Sequence, residues 1–166
     1  MSIEIERKYV IELPDFSCLR EMSGYTVSEI TQIYMPTVLG VSHRVRRRVC
    51  ADRIVYTETK KRRIDAMSAY EDEREIDELE YDALVKLRDT SLHPITKQRH
   101  TFVYQGQLFE LDVYPEWKNS CIMETELDER TRTVEMPDFI RVIRDVTGMR
   151  EYSNHSMAAE FPKELK

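Results

Sequence analysis

The sequence predicts an α+β fold, a β-barrel of about eight strands with helices packed outside. Two observations predict it. Charged and apolar residues alternate with a period of two in most predicted strands, and the charges are sorted by strand, basic in some and acidic in others. Successive side chains of a strand point to opposite faces, so each strand has one ionic and one apolar face. About eight strands can close around side chains or one small ligand. We therefore expect an ionic interior and an apolar outside covered by helices.

The first half of the chain supplies four predicted strands and one helix. Ile3–Ile11 alternates almost fully, and Asp15 is a good N-cap for a short helix, Asp15–Met22. Tyr25–Tyr34 is rich in the β-branched and aromatic residues that strands favour. Ser42–Cys50 alternates arginine with apolar residues, and a short polar turn joins it to Ile54–Arg62. The last two segments therefore form a predicted hairpin.

The second half supplies four more strands and a helix between them. Glutamates at a strict spacing of two mark Ser68–Ile76 as a strand, and leucines at helical spacing follow in Asp77–Asp89. Ile95–Tyr104 and Gln107–Tyr114 flank a Gln-Gly turn and form a predicted hairpin. Ser120–Asp128 alternates glutamate with apolar residues. These segments bring the predicted strands to seven or eight.

Two helices are predicted near the C-terminus. Pro137 precedes the helix Asp138–Thr147, and Gly148 is placed to cap its end. A last helix is predicted over Ser153–Glu160. Both would cover the apolar outside of the barrel.

Composition bounds the class of protein. A chain of 166 residues with 41% hydrophobic residues predicts one domain, residues 1–166. The net charge of -6 and a pI near 5.3 argue against nucleic-acid and anionic-membrane partners. No segment has the pattern of a membrane span or signal peptide, so we expect a cytoplasmic protein. Its scattered cysteines and histidines predict neither a disulfide framework nor a zinc site.

The charges of the predicted interior indicate the ligand. Its basic residues exceed what one carboxylate substrate needs, and arginine suits phosphate oxygens; they are Lys8, Arg44, Arg46, Lys60, Lys97 and Arg99. We therefore expect a polyanion, best explained as a chain of phosphates. Carboxylates cannot bind phosphate directly, but they bind Mg²⁺ or Mn²⁺, which join protein carboxylates to substrate phosphates. Internal salt bridges are the structural alternative.

The ionic motifs resemble those of the CYTH, or triphosphate tunnel metalloenzyme, family. Its signature E-x-E-x-K is present as Glu4-Ile5-Glu6-Arg7-Lys8. Further matches follow in order: Gln32-x-Tyr34, Arg44-x-Arg46, Lys60, Glu73-x-Glu75, Lys97-x-Arg99, Glu110-x-Asp112, Glu124-x-Glu126 and the segments Val146–Gly148 and Tyr152–Asn154. The chain resembles small bacterial inorganic triphosphatases of this family, and the resemblance covers nearly the whole chain. It implies an eight-stranded antiparallel tunnel that acts on triphosphates with a divalent metal.

The resemblance also implies roles for individual residues. The implied triphosphate ligands are Lys8, Arg44, Arg46, Lys60, Lys97 and Arg99. The implied metal ligands are Glu4, Glu6, Asp112, Glu124 and Glu126. Glu73 and Glu75 would share metal binding or position the attacking water, so they are the predicted catalytic residues together with Lys8. Some assignments stay open, because a one-residue slip of register would exchange Lys60 for Lys61. Independently of that slip, Arg48 and Glu71 extend their alternations toward the tunnel mouth, and Glu110 is placed behind the metal ligands.

The leading hypothesis is a metal-dependent hydrolase that cleaves inorganic triphosphate to pyrophosphate and phosphate. Thiamine triphosphatase and class IV adenylyl cyclase are the enzymatic alternatives within the family, because the fold does not decide among them. A non-catalytic module that binds triphosphate or polyphosphate is the alternative from another class. We expect a small-molecule substrate, and the sequence leaves a homodimer open.

Overall fold

Nine β-strands and three short α-helices make up the chain, and the computed structural model describes residues 1–166. The strands are β1 Ser2–Glu12, β2 Ser23–Val38, β3 Val41–Cys50, β4 Arg53–Arg63, β5 Ser68–Ile76, β6 Ile95–Tyr104, β7 Gln107–Val113, β8 Ser120–Glu126 and β9 Val142–Asp145. The helices are α1 Phe16–Arg20, α2 Glu78–Val85 and α3 Asn154–Ala159, and a 3-10 helix spans Arg150–Tyr152.

Strands β1 to β8 close into an antiparallel barrel. The order around it is β5-β4-β3-β2-β6-β7-β8-β1, and β1 also pairs with β5. Ser2–Ile5 of β1 pairs with β5, and Glu6–Glu12 pairs with β8 on the other side. Closure leaves no exposed sheet edge along this part of β1. The predicted α+β barrel of eight antiparallel strands is therefore confirmed.

The predicted helix over Asp138–Thr147 is wrong, because part of this segment forms β9. Strand β5 covers only the first part of β1, which leaves backbone groups further along β1 without a partner. Strand β9 pairs with that edge, and its flanks add bonds from the Glu12 amide to the Arg141 carbonyl and from the Val146 amide to the Lys8 carbonyl, both 2.9 Å. The tertiary need for these bonds outweighs the local helical pattern.

The helices begin where the capping residues predict. The Asp15 side chain accepts a bond from the Ser17 amide at the start of α1, and Asp77 accepts one from the Glu80 amide at the start of α2. Helix α2 ends at Val85, four residues before the predicted end at Asp89. No helix is both long enough and apolar enough to cross a membrane.

Apolar side chains pack on both sides of the barrel wall. On the outside, Leu19 of α1 joins a buried cluster with Phe102, Phe109 and Met123. Inside, an apolar cluster fills one end of the barrel. Residues 146–158, here called the C-terminal segment, complete this cluster. Its members are Val10, Tyr34, Ile95, Tyr114, Trp117, Ile122, Val146, Tyr152, Met157 and Ala158. The C-terminal segment therefore closes part of the barrel interior, and the remaining interior is ionic.

We predict that Gly148 is essential for seating this C-terminal segment. Its φ is +77°, and a Cβ at this position would lie 2.7 Å from the Ala66 Cβ. Gly148→Ala should lower the free energy of unfolding by about 3 kcal/mol, measured by urea denaturation. Gly40→Ala is the matched control, because Gly40 has a φ of +74° and no atom near the added Cβ. It should cost only about 1 kcal/mol, and equal losses in the two variants would contradict the steric explanation.

Candidate functional site

The ionic part of the barrel interior forms a cavity of about 780 Å³. Alternation along each strand places the charged side chains on its wall, as the period of two predicts. The predicted site residues that line it are Glu4, Glu6, Lys8, Arg44, Arg46, Glu73, Arg99, Glu124 and Glu126. The structure therefore brings together residues from β1, β3, β5, β6 and β8 that are distant in sequence.

Arg44 and Arg46 line the cavity from β3 and lack carboxylate partners at close range. The Arg44 Nε is buried and has no hydrogen-bond partner, and its nearest carboxylate contact is 4.0 Å, from Nη2 to Glu73. Arg46 donates only to the neutral side chain of Gln32. Burial, with Arg44 and Arg99 nearby, lowers the pKa of Arg46 to about 10. This pair of guanidinium groups would be stabilised by an anion in the cavity.

Lys8 is held between β8 and the C-terminal segment. Its Nζ lies 3.0 Å from a Glu124 oxygen and 3.7 Å from Glu6, and it donates to the Tyr152 carbonyl at 3.3 Å. Burial by itself would lower the pKa of Lys8, but Glu124 and Glu6 raise it overall. Lys8 is therefore a fixed positive charge at the cavity wall.

Carboxylates gather on the cavity wall from three neighbouring strands. Glu6 lies opposite Glu126 in register, and Glu110 lies opposite Glu124. Like charges directly opposite one another destabilise a sheet. Burial and neighbouring carboxylates raise the pKa of Glu6, Glu110 and Glu126. We call this part of the cavity lining the carboxylate wall. It concentrates negative charge, but no group of three metal-ligating side chains is already arranged around a common point.

Lys97 and Asp112 lie behind the cavity wall and bind each other. The Lys97 Nζ lies 2.6 Å from Asp112 Oδ2, and both side chains are completely inaccessible to solvent. Arg99 adds two bonds to Asp112, 2.7 Å from Nε and 2.8 Å from Nη2. Although burial raises it, these two cations hold the pKa of Asp112 far below its usual range. The structure thus places Lys97 and Asp112 behind the residues that line the cavity, whereas the resemblance implies direct contact with triphosphate and metal.

Lys61, not Lys60, projects into the cavity. Arg44 pairs with Thr59 and Ser42 with Lys61, so the odd-numbered residues of β4 share the inner face. Lys60 is exposed on the outside, which corrects its predicted position. Lys61 forms ion pairs with Glu4 and, at 3.6 Å, with Glu71. The alternative register recognised in the sequence is the one observed.

Of the two predicted catalytic glutamates, only Glu73 lines the cavity. Thr59 donates to its Oε2 at 2.7 Å, which orients the carboxylate beside Arg44. Glu75 lies two residues further along β5. It is exposed and does not line the cavity. Arg48, Glu71 and Glu110, which the sequence left at the edges of the site, all line the cavity.

Sequence reasoning missed several basic residues that line the cavity. Arg63 lies at the end of β4, and Arg150 and His155 belong to the C-terminal segment. Arg63 donates to the Gly148 carbonyl at 2.5 Å, which joins the two segments at the cavity mouth. Arg63 lies one residue beyond the predicted end of its strand, and Arg150 belongs to no alternating segment. The scattered position of His155 in the sequence indicated a residue outside the site. Only the tertiary packing reveals them.

The structure resembles several solved structures in fold. No protein-family model and no curated protein matches the chain. The inorganic triphosphatase NE1496 is 24% identical, with a TM-score of 0.61 and coverage of 98% of this chain and 99% of that one. The PH1819 protein from Pyrococcus horikoshii OT3 is 23% identical, with a TM-score of 0.58 over 76% of this chain and 80% of that one.

A third solved structure shares the fold at lower identity. HpAC1 from Hippeastrum, an adenylyl cyclase candidate with a dominant triphosphatase activity, is 16% identical, with a TM-score of 0.52 over 75% of this chain and 80% of that one. Such low identities establish the fold alone. Together with the order of the ionic motifs, they confirm that this chain resembles the triphosphate tunnel proteins and has their fold.

Proposed function

We propose that the protein is a divalent-metal-dependent triphosphatase that cleaves inorganic triphosphate to pyrophosphate and phosphate. The observation that carries the proposal is the pair Arg44 and Arg46, two partly buried guanidinium groups that line the cavity without close carboxylate partners. Guanidinium groups bind phosphate oxygens through charge-assisted bonds. The triphosphatase activities of NE1496 and HpAC1, proteins of the same fold, support the same reaction class.

The residues of the chain have distinct roles in this proposal. The phosphates are bound by Arg44, Arg46 and Lys8, which hold the triphosphate extended along the cavity. Glu73, held by Thr59 and adjacent to Arg44, orients the attacking water toward the terminal phosphorus. Phosphoryl transfer needs mainly positioning and electrostatic stabilisation, which a rigid ionic interior supplies.

The carboxylate wall fits a divalent metal in part. Glu4, Glu6, Glu124 and Glu126 lie on the cavity wall as the metal assignment requires, and Glu110 adds to them. The repulsion between Glu6 and its opposed partner Glu126 would be relieved by a cation, whereas Glu110 and Glu124 already contact Arg99. Asp112 does not fit, since Lys97 and Arg99 already occupy its oxygens. When bound, Mg²⁺ or Mn²⁺ would neutralise phosphate charge and favour attack at phosphorus.

The cavity favours an inorganic substrate over a nucleotide. Only six of the 33 residues that line it are hydrophobic, so it offers little surface on which a base could pack. A site discriminates for an organic group by building contacts to it. Adenosine would therefore add ordering cost at the mouth without compensating contacts.

We predict hydrolysis of inorganic triphosphate with a higher kcat/KM than ATP or thiamine triphosphate. Release of phosphate and pyrophosphate should be measured on all three substrates with Mg²⁺, with Mn²⁺ and in excess EDTA, where turnover should cease. A higher value for ATP or thiamine triphosphate would overturn the choice of substrate, and formation of cyclic AMP would indicate a cyclase. Turnover in EDTA would exclude the metal requirement.

The roles in binding and chemistry are separable by two variants. Arg44→Ala should weaken triphosphate binding by roughly ten- to a hundredfold, because it removes a charged phosphate ligand. Glu73→Gln should lower kcat by about a hundredfold with a smaller effect on affinity, because it removes the water-orienting group. If the wild type binds triphosphate without turnover and both variants only lose affinity, the protein is a binding module.

We predict that Asp112 stabilises the fold and is not a metal ligand. Asp112→Asn leaves Lys97 buried without its counter-charge and removes one of the carboxylates that bind Arg99, so it should lower the free energy of unfolding by about 3–5 kcal/mol in EDTA. Asp72→Asn is the control, because Asp72 is exposed on β5, and its effect should stay within about 0.5 kcal/mol. A small loss for Asp112→Asn in EDTA, with a large loss only in Mg²⁺, would restore the metal assignment.

The carboxylate wall predicts a pH-dependent stability of the metal-free protein. Because the pKa of Glu6 is raised by burial and by Glu124, its contribution to stability is present below the ordinary value of 4.5 and is lost as pH rises through the folded value. Glu6→Gln should therefore raise the Tm in EDTA at pH 7 but not at pH 4.5. Glu12→Gln, at the exposed end of the same strand, should change the Tm at neither pH. A destabilised Glu6→Gln protein at pH 7 would show that Glu6 is mainly an internal salt-bridge partner of Lys8.

A further inference from the structure

Gln32 lies at the centre of the wall between two arginine-bearing strands. It is on the inner face of β2, opposite Arg46 of β3 in register, and its side chain is completely buried. Its Oε1 accepts from Arg46 Nε at 3.1 Å and from Nη2 at 2.8 Å. One neutral oxygen therefore holds two donors of the same guanidinium group.

A second bond fixes the orientation of the Gln32 amide. Its Nε2 donates to the hydroxyl of Tyr34 at 3.2 Å, so the oxygen of the amide faces Arg46. The Tyr34 ring in turn packs edge-on against His155 of the C-terminal segment, with centroids 5.1 Å apart. The amide cannot flip without losing these bonds inside a buried site, a loss that is costly for buried polar groups.

The two central arginines of the cavity are held in different ways. Arg99 is held by Asp112 and Glu110, so its charge is neutralised by protein carboxylates. Arg46 is held by an uncharged amide, so its positive charge remains available to a ligand. Two of the five guanidinium N–H groups are used by Gln32 and the others remain for the cavity. The neutral acceptor orients the guanidinium without competing for its charge.

We propose that Gln32 is a positioning residue that orients Arg46 toward a phosphate group of the bound triphosphate. This inference rests on the proposed function, because it assigns Arg46 a phosphate oxygen as its remaining partner. Gln32 acts only through Arg46 and makes no contact with the substrate.

The inference is tested by a double-mutant cycle. Gln32→Met, Arg46→Ala and the double variant should be compared with the wild type for kcat/KM on inorganic triphosphate with Mg²⁺. Gln32→Met should lower kcat/KM about tenfold, mainly through KM, because it frees the guanidinium to rotate. In the Arg46→Ala background the same change should have less than a twofold effect, because there is no guanidinium left to orient.

A matched control and a conservative variant exclude a general structural effect. Ser28→Ala removes the equivalent neutral acceptor from Arg48 on the same two strands, a bond of 2.9 Å, and should leave kcat/KM within twofold. Gln32→Met removes the buried acceptor and should lower the Tm, because the Arg46 donors lose their partner. Gln32→Glu keeps the acceptor but neutralises Arg46, so it should lower the affinity for triphosphate without that loss of Tm.

The outcomes separate this inference from the proposed function. A loss in Gln32→Met that is equally large in the Arg46→Ala background, or no loss at all, would overturn the positioning role. Wild-type affinity for triphosphate in Gln32→Glu would also overturn it. If the wild type shows no turnover, the cycle is run on the Kd of triphosphate by calorimetry. The hydrolase proposal then fails while the role of Gln32 is still decided.

Discussion

A closed barrel removes its interior from bulk water, and every charge placed there needs a partner. This constraint organises the molecule. Behind the cavity wall the charges partner one another, because Asp112 binds both Lys97 and Arg99. On the cavity wall the charges are partnered incompletely, since Arg44 keeps an unpartnered Nε and Glu6 faces Glu126. An isolated buried charge is expensive, so these incompletely partnered groups identify where a charged ligand would be stabilised most.

The barrel could be predicted because charged and apolar residues alternate with a period of two along most of its strands. Alternation along β1, β3 and β8 identified the inner faces correctly, because the side chains of one face recur every second residue. The register of β4 could not be predicted in the same way. Lys60 and Lys61 are adjacent and equally basic, and only the pairing of Thr59 with Arg44 decides which one enters the cavity.

Other parts of the structure depend on contacts that no local pattern contains. The segment around Val142 has helical spacing, yet the unpaired edge of β1 makes it a strand. Arg150 and His155 reach the cavity because the C-terminal segment fills one end of the barrel with Tyr152 and Met157. Likewise, the sequence identified Lys97 and Asp112 as inward-facing but not that they bind each other and leave the cavity wall.

The first strand of the chain is the one on which closure depends. Its pairing partners, β5, β8 and β9, all follow much later in the sequence, and Glu6 meets Glu126 only after most of the chain has been made. Loop-closure entropy must be overcome before such distant pairings contribute. During synthesis β1 therefore waits as an unpaired, alternating strand whose edges are open to other chains. The dense charge on one face of β1 protects it while it is unpaired, because charged strands associate poorly with one another before the barrel closes.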